Sequence, residues 1–217
     1  MICKHFIHIG LGDTGEGLIR NAIARNLGKM PELKMIDGRA HLLLVHAKQV
    51  WEKECPGKPL PPVITWVRNP FDWRISFWIH QLMNRRYAGT FYDFCTKHDA
   101  GYIRPEFSTG PGVRMIDYWN MHGLGEADFV GKFETIKEDM CQILPKLLKP
   151  VGVTRKLVES WFPSCYTYWR GRQWIECIEQ WMREELYPPD LIERVYEEDA
   201  YLFDRFGYTF EEHYEFD

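Results

Sequence analysis

The chain has no hydrophobic run long enough to cross a bilayer, which argues against a helical membrane span. It has no surplus of positive charge: 27 Lys and Arg stand against 31 Asp and Glu, a formal net charge of −4. A nucleic-acid partner held by bulk electrostatics is therefore not expected, although local basic patches stay open. The six cysteines (Cys3, Cys55, Cys95, Cys141, Cys165 and Cys177) contain no CxxC pair. They read as buried or incidental thiols in a reducing compartment, not as a disulfide frame or a zinc site. The histidines His5, His8, His41 and His46 fall in apolar runs that read as strands, without a matching carboxylate or thiolate set, so no metal is expected. The opening MICKHFIHIG lacks a signal peptide's long apolar stretch and cleavage site, and a cytoplasmic location is the expectation. There is no internal repeat, low-complexity segment or clear linker, which points to one domain over residues 1–217.

What the sequence does have is a packed globular composition, 45% hydrophobic and 15% aromatic, with nine Trp. So many indoles imply an aromatic core or an aromatic-lined cleft, with the core as the default. The organising stretch is PVITWVRNPFDWRISFW, Pro62–Trp78. Val63–Val67 is a continuous β-branched and aromatic run, the pattern of a strand buried on both faces. Pro70 lacks an amide donor and biases Asn69 away from helix, so the strand ends there. A helix follows, with Trp73, Phe77 and the Ile75, Trp78, Ile79 group available to the core and Arg74 and Ser76 left outside it. Arg68 at a strand end, a helix N-terminus and the Ser76 hydroxyl together make a plausible anion site: a fork of donors, free amides and a positive dipole. On this stretch alone, pairing of Arg68 with a carboxylate explains the residue equally well.

Upstream, His5–Ile9 is a short apolar run leading into Gly10-Leu-Gly-Asp-Thr-Gly-Glu-Gly17, and Leu18–Leu27 reads as a helix capped by Gly28. Strand, glycine turn and helix form the layout of a phosphate cradle. The loop is not of Walker type, because Gly15 is followed by Glu16 and Gly17 instead of Lys and Ser or Thr. GxGxxG occurs as Gly10, Gly12 and Gly15, but no acidic ribose ligand closes a second strand. A tight βα turn without a ligand competes with the cradle. Met30–Gly38 reads as a connector and His41–His46 as a second buried strand, with His46-Ala47-Lys48 at its exit. Histidine at such an exit is a candidate general base, since its unperturbed pKa is near neutrality, although lone histidines are more often structural. Residues 87–112 read as a long irregular stretch with a candidate short helix at Phe91–Phe94, Val113–His122 as a helix, Asp128–Phe133 as a strand and Thr135–Leu148 as an amphipathic helix. Tyr166–Arg172 places Arg170 and Arg172 about a glycine, either a second anion clamp or a solvated basic turn. Trp174–Glu185 and Pro189–Phe206 read as two acidic helices. Short strands alternating with helices imply an α/β domain with a central parallel sheet flanked by helices.

Taken together, FIHIGLGDTGEGLIRNAI, RNPFDWRISFW, FVGKFE with Asp139 after it, and LYPPDLIERVYEEDAYLFDRFGYTF resemble the sulfotransferase family, in particular its Golgi-type and bacterial group. The likeness spans most of the chain; the RNP…S element and the closing run are its most specific parts. The resemblance implies a P-loop NTPase-like fold and transfer of a sulfuryl group from 3′-phosphoadenylyl sulfate (PAPS) to a hydroxyl or amine, releasing 3′-phosphoadenosine 5′-phosphate (PAP), with no metal. It implies that Arg68 and Ser76 hold the 3′-phosphate, supported by Arg170 or Arg172. The amides of Gly12, Asp13, Thr14, Gly15, Glu16 and Gly17 would cradle the 5′-phosphosulfate, and His46 would be the base. The acceptor would be a small molecule or glycan, its pocket shaped by the Trp73–Trp78 helix and the 87–112 loop.

The loop departs from the family pattern Pro-Lys-Thr-Gly-x-Thr. Asp13 stands where the lysine belongs, and Glu16 follows Gly15. Two carboxylates facing a phosphosulfate would repel it by about a few kcal/mol unless they turn away or pair with cations. Lys48 is the candidate replacement cation, with Arg20 as the other. Two further readings follow: a catalytically degenerate sulfotransferase-like protein that holds a nucleotide or partner, and a P-loop phosphotransferase, which the absent Walker lysine disfavours.

Overall fold

The structure, a computed structural model, describes residues 1–12, 19, 22–23, 26, 35–38, 42–97, 112, 114–161 and 182–211. In chain order the strands are β1 (Ile2–Cys3), β2 (Ile7–His8), β3 (Met35–Asp37), β4 (Val63–Val67) and β5 (Phe129–Lys132). The helices are α1 (Leu44–Glu54), α2 (Pro70–Met83), α3 (Phe91–Thr96), α4 (Met115–His122), α5 (Ile136–Leu147), α6 (Arg155–Glu159), α7 (Pro189–Glu198) and α8 (Ala200–Phe206). Residues 182–186 are also helical. None of the described helices is long and apolar enough to cross a membrane. The chain divides into two compact units, Met1–Val67 with Trp119–Gly171, and Arg68–Tyr118 with Arg172–Asp217.

The first unit holds the sheet, in the order β3-β1-β2-β4-β5. All five residues of β4 are buried, as a strand covered on both faces requires. It pairs in parallel with β2 (Ile7 opposite Val63) and with β5 (Ile64 opposite Phe129, Val67 opposite Lys132). Thr65, the polar residue of the run, is satisfied by donating from Oγ1 to the Ile9 carbonyl at 2.9 Å. On the other side β1 runs antiparallel to both β2 and β3. The expected α/β architecture is observed, with the correction that the sheet is mixed: parallel through β2-β4-β5, antiparallel at the β3-β1 edge. The reason is local. Two residues separate β1 from the Phe6–His8 run, too few for the crossover that a parallel pair needs.

Ile64 and Trp66 share one apolar core with Ile19, Ala22 and Ile23 and with Ile136, Met140 and Leu144 of α5. Ile19, Ala22, Ile23 and Asn26 are helical, in the i, i+3, i+4, i+7 spacing of one helix face. Gly131 in β5 is there for space: a Cβ on it would lie 2.5 Å from Trp66 Nε1 and 2.9 Å from two of the indole carbons. Asp139, prominent in the sequence, closes the turn after β5 by accepting from Lys132 N at 2.7 Å and Thr135 Oγ1 at 2.9 Å.

The second unit is built around α2 with an aromatic core. Asn69 caps α2 by accepting from the Phe71 amide, and Pro70 follows at the first helical position, where its missing donor costs nothing. Trp73 and Phe77 stack at 5.1 Å, and Phe71 meets Tyr187, Tyr196 and Phe210 edge-on. Trp66, Trp73, Trp119 and Trp161 are fully buried, so these four indoles are core.

Four sequence expectations change. His41–His46 is not a strand: Leu44–Glu54 is helical, with Leu44, Ala47 and Trp51 buried. A six-residue apolar window cannot separate a buried strand from a helix start, and the helical period appears only when the run is followed to Trp51. The connector at 30–38 contains β3, a sheet edge with no apolar signature because it is half-exposed. Pro189–Phe206 is broken at Asp199, which leaves the helical region at φ −110° and ψ 20°. Arg74, expected outside the core, is completely buried. The helix expected at 174–185 lies mostly outside the described residues.

Gly131→Ala should destabilise the first unit by about 1–3 kcal/mol through overpacking against the Trp66 indole. Urea unfolding followed by Trp fluorescence measures it, and a wild-type midpoint would contradict the packing.

Candidate anion site and its buried charge network

Arg68 follows β4 directly in the chain and precedes the cap of α2; Ser76 lies less than two turns into that helix. Both belong to the second unit, Ser76 on α2 and Arg68 two residues before its first residue. Arg68 is buried, at 1% exposure, and Ser76 is half-buried. A guanidinium enclosed in this way is reached only by a ligand that sheds its own water, and in that setting each charge-assisted bond is stronger than at the surface. The helix N-terminus offers less than the sequence implied. Pro70 has no amide hydrogen and the Phe71 amide is taken by Asn69 Oδ1 at 3.1 Å.

The rest of α2 carries two buried charges, Asp72 and Arg74. Asp72 is 1% exposed and receives a forked ion pair from Arg183: Nε donates to Oδ1 at 2.9 Å and Nη2 contacts Oδ2. Arg183 also donates to the Phe210 carbonyl. Arg74 donates from Nη2 to Asp199 Oδ2 at 2.7 Å and Glu198 Oε2 at 3.0 Å. Asp199 Oδ1 accepts from the Ile116 amide at 2.8 Å, which explains why the α7–α8 helix breaks at this residue. Burial works against the charge on Arg74, but the Asp199 carboxylate outweighs it and holds the guanidinium above its ordinary range. Beside it, burial pushes the Cys95 thiol up to about 12 against the opposing pull of Arg74. Burial likewise raises Tyr187, whose hydroxyl donates to the Phe71 carbonyl at 2.8 Å. The only signal in the sequence was that Asp72 and Arg74 interrupt an aromatic helix, where a buried charge must be paired; it did not name the partners.

His46 and Lys48 lie in the first unit on α1, not at a strand exit. His46 is exposed, and Lys48 forms an ion pair with Glu126 at 2.6 Å. Gly12 sits in a turn just past β2, where the strand continues through Ile9 N to the Ile64 carbonyl at 3.0 Å. Asp13, Thr14, Gly15, Glu16 and Gly17 lie outside the described residues, as do Arg170 and Arg172. Among the described residues no group of His, Cys, Asp and Glu has the makings of a metal site. Cys3, Cys55, Cys95 and Cys141 are free and buried.

No protein-family model matches the chain, and no curated protein matches it. Among solved structures, a mouse sulfotransferase complexed with PAP is similar to it, with 17% identity and a TM-score of 0.43. That match covers 73% of this chain and 62% of the mouse chain, less than two thirds of its length.

The raised Cys95 and Tyr87 groups set an alkaline limit. Burial takes Cys95 from 9.0, and Tyr87 from 10.0, each to about 12. A folded pKa above the unfolded one gives stability that is complete below the unfolded value and lost as pH rises. Stability should therefore fall between about pH 9 and 12. In native protein at pH 8 Cys95 should resist alkylation and become reactive in urea, as peptide mapping after iodoacetamide would show.

Proposed function

We propose that the chain is a sulfotransferase that moves a sulfuryl group from PAPS to a hydroxyl or amine of a small molecule or glycan. The observation that supports this reading most is local: an enclosed guanidinium, Arg68, directly ahead of an Asn-capped, Pro-led helix, with Ser76 on the same helix. A guanidinium fork offers only donors, and the serine hydroxyl can add one more, which suits a phosphate and not a cation. In this reading Arg68 and Ser76 bind the 3′-phosphate, with Arg170 or Arg172 in support. The amides from Gly12 to Gly17 face the 5′-phosphosulfate. The acceptor oxygen or nitrogen attacks sulfur, the bond from sulfur to the phosphate oxygen breaks, and PAP leaves with the electron pair. The acceptor's proton passes to a base, for which His46 on α1 is the candidate. The protein's work is positioning and charge stabilisation, as in phosphoryl transfer.

A second reading draws on Lys48. The lysine proposed to replace the missing loop cation is already paired with Glu126 at 2.6 Å. A chain that lacks that cation would hold the nucleotide and turn over little.

Isothermal titration with PAP in the absence of magnesium tests the site. Wild type should bind with a Kd of about micromolar order. Arg68→Ala should weaken binding by at least about tenfold and Ser76→Ala by a few-fold, as loss of charged and neutral phosphate donors implies. A folded wild type that binds no PAP overturns the proposal, and binding that requires magnesium points to a phosphotransferase. Lys48→Ala should alter stability by less than about 1 kcal/mol, since an exposed pair contributes little. A loss of sulfuryl transfer in that variant without loss of PAP binding would assign Lys48 to the chemistry, and unchanged turnover would end that assignment.

A further inference from the structure

The first turn of α2 is tied to the segment that follows α8, and both lie in the second unit. Gly207, at φ 66°, ends α8 in a left-handed turn and redirects the chain. Among the described residues that follow, 208–211, none is in a helix or strand. This segment is held by side chains that are themselves buried: Asn69 Nδ2 donates to the Thr209 carbonyl at 2.8 Å, and Arg183 donates to the Phe210 carbonyl while forking onto Asp72. The Phe210 amide donates to Tyr196 Oη at 2.7 Å, and the Phe210 ring meets Phe71 at 4.9 Å. Asn69 is fully buried and Arg183 nearly so, so each donor would be costly to leave without an acceptor. The two segments therefore require each other. Asn69 is the chain neighbour of Arg68, and Asp72 lies one helical turn before Ser76 on the same face of α2.

We propose that the Thr209–Phe210 segment is a positioning strap for the Arg68–Ser76 phosphate site, acting through Asn69 and through the Arg183–Asp72 pair. The inference rests on the phosphate-site reading above and assigns Asn69 and Arg183 as positioning residues. Asn69 has two separable duties. Its Oδ1 caps the helix, a task serine performs about as well; its Nδ2 holds the strap, which serine cannot do across the same reach.

Asn69→Ser is the discriminating variant. Its unfolding midpoint should fall only by what one lost hydrogen bond costs, because the cap survives. Its PAP affinity should fall roughly three- to tenfold, the range one lost hydrogen bond implies. Amide hydrogen exchange should speed up together in residues 71–73 and 208–210. Asn69→Ala, which loses the cap as well, should be less stable than Asn69→Ser yet bind PAP no more weakly. Unchanged PAP affinity in Asn69→Ser, affinity that simply tracks stability across the two variants, or faster exchange in only one of the two segments would overturn the strap. If wild type itself binds no PAP, the sulfotransferase reading falls, and the paired exchange measurement still decides whether the strap exists. Should Asn69→Ser fail to fold, Arg183→Lys, which keeps the charge but loses the fork, carries the same readouts.

Discussion

A charge taken out of water must meet its opposite, and the second unit is arranged around that constraint. The helix α2 places Asp72 and Arg74 two residues apart, roughly 200° around the helix, so they face different neighbours. Asp72 is answered by Arg183 and Arg74 by Asp199 and Glu198. Much else follows from these pairings. The helix spanning 189–206 breaks where Asp199 turns to serve both Arg74 and the Ile116 amide. The Phe210 carbonyl is drawn to the remaining face of the Arg183 guanidinium. Buried ion pairs of this kind add little net stability compared with apolar packing, but deleting one partner is costly. They specify where a helix sits more than they strengthen it.

The first unit depends on a different constraint, the saturation of backbone groups in a strand without exposed faces. β4 is hydrogen-bonded on both edges and covered by apolar side chains, so its single hydroxyl residue and the glycine opposite Trp66 on β5 are both fixed by close neighbours. Thr65 is bonded to the Ile9 carbonyl, and Gly131 gives room to the Trp66 indole. The strand leads in sequence to Arg68, and that order places a cation where a central strand gives way to a helix.

The proposed chemistry needs donors aimed at phosphate, a base and a compensating cation. In the proposed reading Arg68 and Ser76 are those donors, while both polar atoms of Asn69 are committed to the Phe71 amide and the Thr209 carbonyl. Lys48 is engaged with a carboxylate on a helix surface, which separates the question of nucleotide binding from that of turnover. That separation matters because Asp13 and Glu16 add negative charge to the loop in which the family pattern has lysine. A protein can bind PAP through the 3′-phosphate alone and still lack the charge stabilisation that transfer requires.

Sequence by itself determined the local elements whose signals are short-range. The β4 run and its end at Asn69-Pro70, the strand at 129–132, and the amphipathic α5 all follow from side-chain period and the missing proline donor. It also picked out Arg68 and Ser76 as residues of one strand-to-helix element. Tertiary structure alone decided what depends on neighbours distant in the chain. The 44–54 segment is a helix because Leu44, Ala47 and Trp51 find a common buried side, which six apolar residues cannot reveal. β3 exists because β1 offers it an edge, not because of its own composition. Arg74 is core and not surface because carboxylates 124 and 125 residues away meet it there. Periodicity reports which face of an element is apolar; it carries no information about the partner that makes a buried charge tolerable.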